Sequence, residues 1–220
     1  MHFLCLHGTG TSSKILEMQT AAFRYELGDG HTYDFVQGLF HEPLGAEFQE
    51  IFPTEKDGFS YFNLDPAAAS LQPVQDLEDF MAAEGPYDGV IAFSQGIIVA
   101  STIIFRSVQE GRPSPFKCAI FFSPRLGAMD YGEFQRSGKV GEIDFDAHQG
   151  VIPVPTALIW GREDPDRGKA AQLQKLYPQG RLFSYVHSGG HAVPGAGQTV
   201  DLLKSVNVAR RAIEMAMEGC

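Results

Sequence analysis

Ser94 stands at the junction of an apolar run and an apolar helical pattern, in the sequence VIAFSQGII over residues 90–98. A serine on a sharp strand-to-helix turn presents its hydroxyl above a sheet, as the nucleophile elbow of acyl-transfer enzymes does. The small residues Ala92 and Gly96 would let strand and helix approach closely, although the usual pattern has Gly at the first of these positions. By itself, the motif also fits a serine that only caps the following helix.

Two further side chains supply what a nucleophilic serine needs, a base and a carboxylate that orients the base. Asp164 follows the apolar run ALIW in the loop GREDPD, and His191 follows the run LFSYVH in the loop SGGHAVP. Singly, Asp164 fits a turn residue and His191 a surface residue. The order Ser, Asp, His, with each residue after its own predicted strand, predicts a catalytic triad. Glu163 and Asp166 are weaker candidates for the acid.

An acyl-transfer site also needs backbone N–H groups for the oxyanion. Gln95 follows the candidate nucleophile, and Thr9 lies in the loop HGTG after the first apolar run, so we expect these two to donate. The run GTGTSS lacks the P-loop lysine and the dinucleotide spacing, and His187 with His191 lacks the glutamate of a zinc-binding HExxH motif. His7 is interpreted as a structural loop residue. We therefore expect no cofactor and no metal.

Short apolar runs alternate with helical patterns along nearly the whole chain, which predicts an α/β fold with a mostly parallel sheet and helices on both faces. Predicted strands cover residues 2–7, 32–39, 89–93, 117–122, 155–160 and 181–187, and predicted helices cover residues 14–27, 74–83, 96–110, 169–177 and 199–217. The carboxyl ends of parallel strands meet at one edge of a sheet, where these elements would gather the candidate catalytic residues. The 220 residues fit one compact domain over 1–220, with roughly six strands and no large separate cap domain.

Two stretches, residues 40–69 and 124–153, are too long for ordinary connections and are rich in Gly, Pro and aromatic residues. They are candidates for a lid or for the walls of a substrate pocket. Six of the 17 Phe fall within 28 residues, at positions 35, 40, 48, 52, 59 and 62. We expect a pocket lined by Phe40, Phe59, Phe62, Phe93 and Pro124.

The composition excludes several classes of partner. A formal charge of −10 and a pI near 5.1 argue against sequence-independent binding of nucleic acid or of anionic membranes. Residues 26–88 alone carry fourteen acidic residues against Lys56, which predicts a solvated acidic face. No apolar run is long enough for a membrane span and the N-terminus lacks signal-peptide features, so we expect a soluble cytoplasmic protein. Cys5, Cys118 and Cys220 form no metal-type or disulfide pattern.

Four motifs, LCLHGTGTS, AFSQG, WGREDP and GGHAVP, together resemble the FSH family of small serine hydrolases, over residues 4 to about 203. The resemblance implies an α/β-hydrolase fold, with Ser94 as nucleophile, Asp164 as acid and His191 as base. It also puts Thr9 and Gln95 at the oxyanion-hole positions.

The chain departs from the family pattern at two places. Ala92 stands where the family commonly has Gly, and Thr9 where it often has a bulky residue such as Tyr. The second departure bears on the pocket entrance and on substrate choice.

The family includes fungal enzymes encoded beside polyketide synthases, so the resemblance implies release of a polyketide or fatty acyl chain from an acyl carrier protein in secondary metabolism. The alternatives are a carboxylesterase acting on small soluble esters and a non-catalytic binding protein on a hydrolase scaffold. Carrier proteins are usually acidic, so we expect one to avoid the acidic face and to approach near Arg125, Arg136, Lys139 or Arg162. The sequence leaves the oligomeric state open.

Overall fold

The computed structural model describes residues 1–49, 51–52, 56–63 and 69–218. Its strands are β1 (His2–Leu6), β2 (Thr32–Val36), β3 (Phe40–Pro43), β4 (Asp57–Ser60), β5 (Gly89–Phe93), β6 (Cys118–Phe122), β7 (Thr156–Gly161) and β8 (Leu182–His187). Its helices are α1 (Ser13–Gln19), α2 (Ala21–Leu27), α3 (Ala46–Gln49), α4 (Gln72–Glu84), α5 (Gln95–Gln109), α6 (Tyr131–Ser137), α7 (Arg167–Gln174) and α8 (Thr199–Glu218), the last preceded by a 3₁₀ turn at Ala196–Gln198.

Six of these strands form a parallel sheet in the order β2-β1-β5-β6-β7-β8. They are the six strands predicted from the apolar runs, so the predicted fold class is confirmed. The chain runs from β1 outward to β2, then returns to the other side of β1 with β5. This reversal of strand order lies between β1 and β5, where open α/β sheets form a ligand-binding crevice at the strands' carboxyl ends.

The period-2 alternation of strand side chains divides the core into two layers. Leu4 and Leu6 of β1 point to the face that α4, α5 and α7 cover. Phe3 and Cys5 point to the opposite face, which α1, α2 and α8 cover. Strands β5 and β6 are buried along their whole length, as their continuous apolar sequences predict.

The prediction of one helix over residues 14–27 is wrong, because the chain forms α1 and α2 with a break at Thr20. The buried Thr20 hydroxyl donates to the carbonyl of Leu16 at 2.8 Å, in competition with the backbone. A threonine that bonds back to the preceding turn bends a helix, and this signal is invisible to apolar periodicity.

The two long stretches contain structure of their own. In the first, β3 and β4 form an antiparallel hairpin that is bound to the β1–α1 loop, with Gly10 N–H donating to Phe59 O at 3.0 Å and Phe59 N–H donating to Thr11 O at 2.7 Å. In the second, α6 begins at the cap Asp130, and Met129 N–H donates to the Thr102 hydroxyl of α5 at 2.8 Å. Both segments therefore flank the carboxyl edge of the sheet.

Candidate active site

Ser94 occupies the sharp turn between β5 and α5, with φ of 52° and ψ of −112°. A non-glycine residue with positive φ is held there only when its surroundings over-determine the turn. Helix α5 lies so close to β1 that a Cβ on Gly96 would stand 2.4 Å from the carbonyl oxygen of Leu6. The side chain of Ser94 caps no helical N–H, so the alternative interpretation as a simple helix cap finds no hydrogen bond in the described structure.

Asp164 and His191 are hydrogen-bonded, with 3.0 Å between Oδ2 of Asp164 and Nδ1 of His191. Asp164 is completely buried in the loop after β7. Burial alone would raise the pKa of this carboxyl, but hydrogen bonds from His191 and from Asp166 N–H outweigh it and hold the pKa below its usual value. Asp164 is therefore a carboxylate at neutral pH and accepts a hydrogen bond from the imidazole of His191.

Ser94 and His191 line one cavity of about 250 Å³, together with Thr9, Phe93 and Arg125. The rings of Phe93 and His191 lie 5.1 Å apart. Within the described ranges no hydrogen bond joins the side chains of Ser94 and His191. Such bonds are often long in structures without substrate and tighten only when it binds.

The backbone N–H groups of Thr9 and Gln95 make no hydrogen bond to any described residue. Gln95 is the first residue of α5, where helical N–H groups have no partner within the helix. Its side chain is fixed, because Oε1 accepts from Tyr61 N–H at 2.7 Å. Both predicted oxyanion donors thus remain available, and Thr9 lines the cavity that contains Ser94.

The loop that carries His191 lies directly against the end of β7. Glu163 N–H donates to the carbonyl of Gly189 at 3.0 Å. At Gly161, the last residue of β7, an added Cβ would stand 2.1 Å from the carbonyl oxygens of both Gly189 and Gly190. No side chain fits at Gly161, so this glycine sets the distance between the acid loop and the histidine loop.

Two residues outside the predicted set hold the same loop. Asp201, in the first turn of α8, accepts from the hydroxyl and the N–H of Ser188 and from the hydroxyl of Tyr185. These hydrogen bonds lower the pKa of Asp201 to about 2. His187 is fully buried and its Nδ1 accepts from Gly189 N–H at 3.1 Å. Burial lowers the pKa of His187, so its imidazole is neutral and its proton is on Nε2.

His7 has a comparable role on the opposite side of Ser94. It is fully buried, and burial lowers its pKa to about 4. Its Nε2 accepts from Gly38 N–H at 2.9 Å, while Nδ1 lies 2.7 Å from the carbonyl oxygen of Gly8. A neutral His7 therefore connects the β1–α1 loop to the segment after β2, in keeping with the predicted structural role.

The residues predicted to bind substrate are distributed over different parts of the site. Phe93 lines the cavity of Ser94, and Phe62 lines a smaller cavity beside Gln95. Phe40, Phe59 and Pro124 line neither of these two. A third, apolar cavity of about 440 Å³ adjoins the cavity of Ser94 and shares His191 and Phe48 with it.

The oxygen and nitrogen atoms of Asp164, Asp166 and His191 lie within 4.8 Å of one another, close enough to surround a metal ion. In this structure, Asp164 bonds to His191, and the Asp166 carboxylate lies 3.8 Å from the guanidinium of Arg125. Asp164 and His191 thus have each other as partners, and the carboxylate of Asp166 has Arg125.

Residues 1–202 match the family model described as "Serine hydrolase (FSH1)". The chain belongs to the FSH1 serine hydrolase family. Among its relatives, Esterase FPY3 of Fusarium mangiferae is 40% identical over 210 residues, covering 91% of this chain and 92% of the relative. Esterase alnB of Emericella nidulans is 39% identical over 263 residues, covering 90% and 92%. This protein is accordingly a hydrolase.

Solved structures agree on the fold. The carboxylesterase of Bacillus cereus superposes with a TM-score of 0.59 at 14% identity, over 96% of this chain and 87% of that one. The carboxylesterase of Mesorhizobium loti gives 0.58 at 14% identity, over 97% and 88%. The chain thus has the α/β-hydrolase fold. In the part of the chain that the structure describes, no helix has the length and apolarity to cross a bilayer.

Sequence reasoning missed three features of the site. Gly161 is part of the motif WGREDP, but only tertiary contact reveals why it has no side chain. Asp201 lies in the helix after the histidine loop, and nothing in its spacing points back to that loop. Phe48 belongs to the noted group of phenylalanines, and that aromatic density was the available signal.

Proposed function

We propose that this protein hydrolyses acyl esters and thioesters through a Ser94–His191–Asp164 triad and an acyl-enzyme. The observation that carries the proposal is the 3.0 Å hydrogen bond between Asp164 and His191, made at the wall of the cavity that Ser94 also lines. With Nδ1 protonated and bound to Asp164, the free Nε2 of His191 is the basic nitrogen. A base held in this tautomer is what a serine needs to become nucleophilic.

In the proposed first half-reaction, His191 Nε2 takes the hydroxyl proton while Ser94 Oγ attacks the acyl carbonyl. The N–H groups of Thr9 and Gln95 stabilise the oxyanion of the tetrahedral intermediate. His191 then donates its proton to the leaving alcohol or thiol, which departs and leaves the acyl group on Ser94. In the second half-reaction, His191 deprotonates a water that attacks the acyl-enzyme. His191 then returns the proton to Ser94 Oγ as the acyl–Oγ bond breaks and the carboxylic acid is released.

The specific substrate we propose is a polyketide or fatty acyl chain bound as a thioester to an acyl carrier protein. The similarity to proteins named esterases supports ester chemistry, and the same steps cleave a thioester because a thiol is the better leaving group. Arg125 is exposed, lines the cavity of Ser94 and lies 3.8 Å from the carboxylate of Asp166. In this proposal an acidic carrier approaches there or near Arg136, Lys139 or Arg162. The alternative is a carboxylesterase for small soluble esters.

Matched substrates distinguish these two possibilities. We expect faster turnover of acyl-N-acetylcysteamine thioesters than of ethyl esters of the same acyl group. We also expect faster release from a loaded carrier protein than from the free thioester. Cleavage of short esters with thioesters untouched would refute the thioesterase and leave the esterase.

Charge reversal tests the carrier surface. Arg125→Glu with Arg136→Glu should lower turnover of carrier-bound substrate relative to the small thioester. Arg181→Glu is the control, because Arg181 is exposed just before β8, at the amino end of the sheet. An unchanged ratio in the double variant would refute the proposed carrier approach.

A further inference from the structure

The cavity beside His191 has an unusual composition for a surface that faces water. Apolar side chains form most of its walls, and the one titratable group among its described lining residues is His191. The walls include Met18, Phe48, Ile51, Phe52, His191 and Val193. Two of these are strongly exposed, Ile51 at 66% and Met18 at 52%. Contiguous exposed apolar side chains around a concave surface mark a binding site for an apolar ligand.

This apolar cavity adjoins the cavity of Ser94, because Phe48 and His191 line both. The two cavities differ in their remaining walls. The cavity of Ser94 carries Arg125 and Asp166, whereas Met18, Ile51 and Phe52 belong to the apolar cavity. A substrate with its carbonyl at Ser94 can therefore place a hydrocarbon part and a polar part in different surroundings.

Phe48, which lines both cavities, is held in place. Phe48 is 6% exposed and packs with Ile15 and Leu44. The residue before α3, the helix that carries Phe48, is bound to the β1–α1 loop that contains Thr9, since Gly45 N–H donates to the carbonyl of Gly10 at 2.8 Å. The position of the apolar cavity is thus fixed relative to Thr9, and so to the expected position of the carbonyl oxygen.

From these contacts we propose that the apolar cavity beside His191 binds the hydrocarbon chain of the acyl group, while the leaving group faces Arg125 and Asp166. The inference rests on the proposed function, since it takes Ser94 as the point of attack. A chain of about eight or more carbons suits a cavity of this size, which lies within the usual range for small-molecule sites. A charged acyl group gains nothing from these walls.

Burial of each methylene is expected to raise kcat/KM about fourfold until the cavity is filled. In a series of p-nitrophenyl esters with acyl chains from two to ten carbons, log kcat/KM should rise with chain length. In a series of acetates with alcohol chains of the same lengths it should stay nearly flat. Dependence on the alcohol chain in place of the acyl chain would overturn the assignment.

Two variants locate the effect in this cavity. Met18→Gln and Ile51→Gln should each reduce the slope of log kcat/KM against acyl length, because they bring an amide to the chain. Met217→Gln is the matched control, since Met217 is 64% exposed near the end of α8, away from the cavity, and it should keep the wild-type slope. Wild-type slopes in both cavity variants would refute the proposal.

The outcomes also separate this inference from the proposed function. Hydrolysis of the acetate ester through Ser94 with no gain from longer acyl chains would overturn the subsite alone. Absence of hydrolysis for every ester and thioester in the series would overturn the proposed function and the subsite with it.

Discussion

The contact at Gly161 allows a quantitative test of how tightly the acid and histidine loops must be held together. In Gly161→Ala, the new Cβ would lie 2.1 Å from two backbone oxygens, and Cβ contacts below 3.0 Å essentially do not occur. The loop with Gly189 and Gly190 must therefore retreat by about 0.9 Å, the difference between these two distances. A displacement of about 1 Å in a catalytic group costs about 100-fold in rate.

We therefore expect kcat of Gly161→Ala on p-nitrophenyl butyrate to fall about 100-fold. Overpacking costs about 1–3 kcal/mol of unfolding free energy, so Tm should fall by roughly 2–12 °C while the protein still folds at 25 °C. Gly141→Ala is the control, because no heavy atom lies within 4 Å of its added Cβ, and it should behave as wild type. A folded Gly161→Ala protein with kcat within about twofold of wild type would refute the reasoning.

Three further predictions concern the residues around His191. Asp164→Asn should lower kcat about 10⁴-fold in steady-state assays with little change in Tm, because the amide favours the wrong imidazole tautomer; a loss below tenfold would contradict the assigned role. Asp201→Asn should lower the unfolding free energy at pH 7 by about 1 kcal/mol after solvent screening. The pKa of Asp201 in the folded protein is lowered to about 2, so this contribution is full above the ordinary carboxyl pKa and is lost as pH falls from about 4 to about 2. The Tm values of wild type and variant should therefore converge at about pH 2. A difference in Tm between wild type and variant that stays constant as the pH falls would contradict this prediction. His187→Phe should lower Tm and kcat, because it leaves the N–H of Gly189 without an acceptor. In His187→Asn the amide oxygen can accept this hydrogen bond, so this variant should recover part of both Tm and kcat. Equal losses in the two variants would contradict the role of this hydrogen bond.

The sequence alone was sufficient to predict the features that depend on local pattern. Continuous apolar runs identified the six strands of the parallel sheet, and the rule that ligands gather at carboxyl ends of strands placed Ser94, Asp164 and His191 at one edge. The geometry at Ser94, with its positive φ, agrees with the elbow that its motif predicts.

Features that depend on contacts between distant segments could not be predicted from the sequence. Phe48 lines the cavity of Ser94 and Phe59 does not, because of how α3 and the β3–β4 hairpin pack, and both of these segments are hydrogen-bonded to Gly10. The support from Asp201 crosses 13 residues to Ser188, and neither residue carries a recognisable motif. The break at Thr20 arises from a single side-chain hydrogen bond that competes with the helix.

Covalent labelling tests most directly whether Ser94 is the nucleophile. A fluorophosphonate probe should form one adduct with the wild-type protein, located by peptide mass mapping on the peptide that contains Ser94. Ser94→Ala should give no adduct and no hydrolysis above background, whereas Ser137→Ala, with its exposed serine on α6, should label at the wild-type rate. Labelling or turnover that survives in Ser94→Ala would place the nucleophile elsewhere and contradict the proposed mechanism.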